Sequence, residues 1–106
     1  MKKREINGMA NIKLIEILKT QILSIIAKLF ALLTKGTNVA YEAILECISG
    51  AIILLYILGE KLGYSFSEVD KNIDEQLKLG IKSEDELEKD SKALSRLKEH
   101  IINKSN

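Results

Sequence analysis

An all-α protein is what this sequence predicts, and three observations carry the prediction. The 106 residues include no proline and only six glycines, so chain breakers are scarce. Leucine and isoleucine recur at spacings of three, four and seven, and no segment alternates as a strand would. Hydrophobic residues make up 46% and charged residues 29%, which supplies a core and argues against disorder. The length allows a single domain. The expected architecture is a four-helix bundle, two long apolar helices followed by two amphipathic ones, assembled as an oligomer. Residues 1–10 are expected to form a flexible tail, 11–103 the helical domain and 104–106 a short C-terminal tail.

Charge and cysteine content narrow the function classes. Sixteen basic and fifteen acidic residues leave a net charge of +1, and 14 of the basic residues are lysine. A nucleic-acid binder needs a basic surplus to displace counterions, so no nucleic-acid partner is expected. One cysteine excludes a disulfide framework and suggests a reducing, cytoplasmic setting. Sixteen isoleucines and 16 leucines stand against five aromatic residues. A chain this short cannot bury so much aliphatic surface alone, which points to a homo-oligomer, a dimer or tetramer.

The first helix is expected from Asn11, as N-cap, to Leu33. Lys2, Lys3 and Arg4 before it resemble the charged opening of a leader, but Lys13, Glu16, Lys19 and Lys28 interrupt any apolar continuation. Ile12, Ile15, Ile22, Ile26, Leu29 and Leu33 form the apolar stripe, widened by Leu18, Ile25 and Leu32. Gly36 supplies the stop, and Thr37 or Asn38 is expected to cap the next helix.

The second helix, from about Val39 to Leu62, carries no charge between Cys47 and Leu58. A helix apolar nearly all round has to be enclosed by other helices or another subunit. A membrane span competes, but it needs about 20 apolar residues. Extension backwards meets Glu46 and Glu42, each costing roughly 2.5–3.5 kcal/mol near a bilayer centre. No membrane is therefore expected.

Leu62-Gly63-Tyr64 ends that helix. Ser65 with Glu68 makes a capping box for the third, whose stripe is Phe66, Val69, Ile73 and Leu77. Gly80 is expected to close it. Ser83 to Glu86 repeats the capping signature, and a last helix from Glu84 to Ile102 shows Leu87, Leu94, Leu97 and Ile101 at heptad-like spacing.

Catalytic signatures are missing: no phosphate loop, no G-x-G-x-x-G and no nucleophile elbow. Cys47 reads as a small buried hydrophobe and His100 as a solvated residue near a helix end. Glu42 and Glu46 stand out, because a spacing of four puts both carboxylates on one face of the most apolar helix. Such a pair marks either a ligand site between the first two helices or a partly wet helix start. Gln21 interrupts the apolar pattern of the first helix and is a candidate to face them.

The stretch from Ile12 to Leu23 resembles the opening helix of the MazG-like family. Ile48 through Tyr56-Ile57-Leu58-Gly59-Glu60-Lys61-Leu62-Gly63-Tyr64-Ser65-Phe66 resembles its second helix and the turn that follows. The resemblance covers residues 11 to 100. It implies an all-α nucleoside triphosphate pyrophosphohydrolase relative that forms dimers or tetramers. Active members hold magnesium through an E-x-x-E on one helix and an E-x-x-D on the next. Here Glu16 is followed three residues on by Lys19. Counting back from Leu62-Gly63, the second pair falls on Cys47 and Gly50.

The expectation is therefore a bacterial or phage MazG-like protein that binds a nucleotide or nucleotide-derived signal without metal-dependent hydrolysis. Gln21, Glu42, Glu46 and Gly50 are its ligand-binding residues, with Lys28 or Lys78 approaching phosphate. No catalytic residue, metal ligand or cofactor is expected. The alternative is a divergent magnesium-dependent pyrophosphohydrolase using Glu16, Glu42 and Glu46. A further alternative is a non-catalytic assembly or partner-binding module.

Overall fold

The computed structural model describes residues 8–36, 38 and 40–105, and every regular element among them is a helix. These are α1 (Gly8–Leu33), α2 (Tyr41–Lys61), α3 (Phe66–Lys82), α4 (Glu86–Ser91) and α5 (Ala93–Ser105). The chain divides between Phe66 and Ser67 into two compact units. Most of the expected N-terminal tail lies outside the described residues, but Gly8 to Ala10 already belong to α1.

In the first unit α1 and α2 form an antiparallel hairpin. Leu18 is buried on α1, with Ile22, Ile25, Leu29 and Leu32 half-buried along the same stripe. Ile44, Cys47 and Ala51 are buried on α2, continued by Leu54 and Leu58. Both stripes follow the spacing of three and four that puts side chains on one helical face. Gly36 takes φ +92° just beyond α1, as a C-terminal stop requires. At the far end of α2, Gly63 takes φ +103° and the Tyr64 N–H donates to the Gly59 carbonyl at 3.0 Å. Phe66 meets Tyr56 edge-on, with ring centroids 6.0 Å apart.

Two expectations for this unit are corrected. Asn11 is not the cap of α1; it sits inside the helix, and its Nδ2 donates to the Lys61 carbonyl at 2.9 Å. That carbonyl belongs to the last turn of α2, where intrahelical partners run out. Asn38 lies in a turn and Ala40 occupies the N-cap of α2 with no side-chain hydrogen bond; Thr37 and Val39 lie outside the described residues. On α2, Leu45, Ile48, Ile52, Ile53 and Leu55 are exposed in the single chain. By length and composition α2 could cross a membrane, and only 17% of its apolar window is buried.

In the second unit, Leu77 is the buried residue of α3, with Val69 and Ile73 half-buried on the predicted stripe. Gly80 does not close α3, which continues to Lys82. Its role is close packing: a Cβ there would lie 2.6 Å from Leu94 Cδ1. The single last helix expected from Glu84 is two helices. Asp85, not Ser83, caps α4 by accepting from the Leu87 N–H at 3.0 Å, while the Ser83 hydroxyl donates to the Gly80 carbonyl. Lys92 then adopts a left-handed conformation, φ 56°, ψ 37°, and separates α4 from α5. The Glu88 carboxylate bridges this break, accepting the Ser95 backbone N–H at 2.9 Å and the Ser95 hydroxyl. That caps the start of α5 from the preceding helix.

Candidate functional site

Two contacts fix the register of the hairpin. Asn11 reaches Lys61 at one end. Further along, a Cβ on Gly50 would lie 2.6 Å from Ile25 Cδ1, so these residues face each other directly. Residue numbers on the two helices therefore sum to between 72 and 75 where they are level. Lys28 comes level with Cys47, and Gln21 lies about one turn beyond Gly50.

A turn of about 100° per residue then sorts the remaining side chains into two broad sides. On one side, α1 presents Leu23 and Phe30, and α2 presents Tyr41, Leu45, Ile48, Ile52 and Leu55; all are exposed. On the other side lie Gln21, Ser24 and Lys28 of α1, and Glu46 and Gly50 of α2, together with the exposed Ile17 and Ile53. Glu42 stands at the outer edge of this second side, one turn before Glu46. Because the helices are antiparallel, the same sense of rotation on each brings its stripe to the same side of the pair.

Gln21, Glu42, Glu46 and Gly50 thus share one side of the hairpin, with Lys28 at the level of Glu46. All but Gly50 are exposed. The space next to Gly50 is filled by Ile25, so the glycine there serves close helix packing and leaves no open hollow toward α1. Lys78 is on α3, paired with Asp74 at 3.1 Å. That contact, with Lys98 at 3.5 Å, holds the Asp74 carboxyl below the usual carboxylate range.

Glu16 belongs elsewhere. It lies on the apolar side, where Lys19 pairs with it at 3.0 Å. Its level corresponds to residues 56–59 of α2, which is 10–13 residues from Glu46. At 1.5 Å per residue the axial separation is roughly 15–20 Å. Glu16, Glu42 and Glu46 therefore cannot share a metal ion. The α1 residues that do oppose Gly50 and Cys47 are Ile25 and Lys28, spaced by three as an E-x-x-E would be. An isoleucine, a lysine, a thiol 3% exposed and a glycine offer no carboxylate oxygen. Magnesium, a hard cation that takes oxygen ligands, does not fit this set. Among the described residues no group of three or more His, Cys, Asp or Glu side chains is placed to hold a metal. Spacing within the sequence missed this pairing, because only the interhelical register shows that residues 25 and 28 are the opposed positions.

The described residues are all-helical, built on an antiparallel apolar pair followed by a leucine–glycine turn. Residues 9–94 match the MazG-like family, and the chain belongs to it. Neither curated proteins nor solved structures give a match.

Proposed function

We propose that this MazG-like protein binds a nucleotide or nucleotide-derived signal without hydrolysing it through a metal. The carrying observation is the packing of Ile25 on Gly50, with Lys28 and Cys47 beside them, where two opposed acid pairs would be needed. Binding falls to the polar side of the hairpin. Gln21 can pair with a base or amide edge, Glu46 and Glu42 can accept from base amines or ribose hydroxyls, and Lys28 supplies the cation for a phosphate. Family membership supports the nucleotide class, and the common side shared by these residues supports the location.

Thermal unfolding against triphosphates, monophosphates and cyclic or linked nucleotides, each with and without magnesium, tests this reading. A ligand at 100 times its Kd adds about 2.7 kcal/mol. That is a shift of roughly ten degrees or more for a domain of this size. The expected shift is independent of magnesium and lost in Glu46→Ala. A shift confined to magnesium with triphosphate would overturn the proposal in favour of the enzyme.

A further inference from the structure

Charge limits which nucleotide the polar side of the hairpin can hold. That side carries one cation, Lys28, and two carboxylates, Glu42 and Glu46, all exposed. Among the described residues none of the three is engaged in an ion pair, whereas Lys19 is tied to Glu16, and Lys78 and Lys98 to Asp74. Lys28 and Glu46 are level with each other, so a phosphate on the Lys28 ammonium lies beside the Glu46 carboxylate. The other cations of the hairpin are remote. Lys13 and Lys61 stand toward its far end, roughly 20 Å from Lys28 at 1.5 Å per residue. Lys35 follows α1 about 10 Å beyond Lys28, and Glu42 is level with the residues between them.

One ammonium balances one negative charge. A phosphodiester carries a single charge, whereas a terminal phosphate carries about −1.5 to −2. Each further phosphate of a polyphosphate adds more, with no ammonium to meet it. Among the described residues no group is placed to hold a metal that would offset it. The carboxylates make the complementary demand: ionised, they only accept hydrogen bonds, so the ligand has to donate. The exocyclic amines of adenine, guanine and cytosine do so. We infer, on the nucleotide reading above, that this side selects a phosphodiester nucleotide with an amine-bearing base and rejects polyphosphates. A cyclic mononucleotide and a linked dinucleotide both present that chemistry.

The test is isothermal titration of the full chain in chelator with cyclic AMP, the dinucleotide ApA, AMP, ADP and ATP, and with the guanosine and cytidine counterparts. A phosphodiester is expected to bind tightest, and affinity to fall at every step from monophosphate to triphosphate. A unit charge about 4 Å from a carboxylate in water costs about fivefold in affinity, so the triphosphate should be weaker by about tenfold or more. Whether the cyclic or the linked compound binds more tightly separates the two sources. Cyclic UMP, without an exocyclic amine, should bind about tenfold more weakly than the tightest cyclic nucleotide. In Glu46→Gln the advantage of phosphodiester over triphosphate is expected to shrink about fivefold, because the neutral amide repels no phosphate. Glu16→Gln, roughly 15–20 Å from Glu46 and beyond the screening length of about 8 Å at physiological salt, should leave that ratio unchanged. The wild-type series decides alone if Glu46→Gln binds nothing. A mono-, di- or triphosphate binding as tightly as the phosphodiesters, or cyclic UMP binding as tightly as the amine-bearing cyclic nucleotides, would overturn the selectivity and leave nucleotide binding standing. No binding of any nucleotide would overturn both.

Discussion

The contact between Ile25 and Gly50 can be measured as a coupling energy. Gly50→Ala gains about 1 kcal/mol of helix propensity. The new methyl, however, would sit 2.6 Å from Ile25 Cδ1. Displacing that side chain from its rotamer costs about 0.5–1.5 kcal/mol, and local overpacking about 1–3 kcal/mol. The single variant is therefore expected to lose roughly 1 kcal/mol. Ile25→Val deletes the colliding methyl and alone costs about 0.5–1.5 kcal/mol. In the double variant the collision is gone and the propensity gain is expressed. Its stability should return to within about 0.5 kcal/mol of wild type, giving a coupling of about 1–2 kcal/mol. Urea unfolding followed by far-ultraviolet circular dichroism suits a chain without tryptophan. If the two changes simply add, the residues do not touch. The register, and the assignment of Ile25 and Lys28 to the positions facing Cys47 and Gly50, would then fall.

Other perturbations probe the ends and joints of the fold. Asn11→Ala removes the donor to the Lys61 carbonyl and should cost about 1 kcal/mol, lowering Tm by about 4–8 °C. An unchanged Tm would show that water replaces it fully. Lys92→Gly relieves a left-handed lysine and should stabilise by roughly 0.5–1 kcal/mol, read from the urea midpoint; destabilisation would contradict that backbone geometry. The Ser95 hydroxyl and N–H hold the Glu88 carboxyl below the ordinary carboxylate range. A lowered folded-state pKa gives stability that is complete above the ordinary glutamate value and lost as pH falls through the lowered one. Helicity followed from neutral pH into acid should show this loss, and Glu88→Gln should remove that part of the profile. An identical acid transition in Glu88→Gln would rule out the cap as its source.

The helices were legible where an apolar stripe meets an ordinary stop. Leu18, Ile25 and Leu32 on α1, and Val69, Ile73 and Leu77 on α3, take the faces their spacing predicts. The joints were harder, because they depend on contacts between distant residues. Asn11 looks like a cap, yet its amide is used by a carbonyl fifty positions away. The break at Lys92 carries neither glycine nor proline, and it is held by Glu88 bonding Ser95 across it. Gly80 and Gly50 read as a stop and a lost ligand; both are places where a facing side chain needs the room of a Cβ. The common side of Gln21, Glu42 and Glu46 follows from helical spacing only after the register is known. The exclusion of Glu16 has the same origin.

The central claim is ligand binding on the polar side of the hairpin with no divalent metal. Isothermal titration of a nucleotide selected by thermal shift, in chelator and again in excess magnesium, tests it most directly. Equal Kd in both conditions for the wild type, with binding abolished in Glu46→Ala, is the predicted result. Affinity that appears only with magnesium, or binding that Glu46→Ala leaves intact, would contradict it.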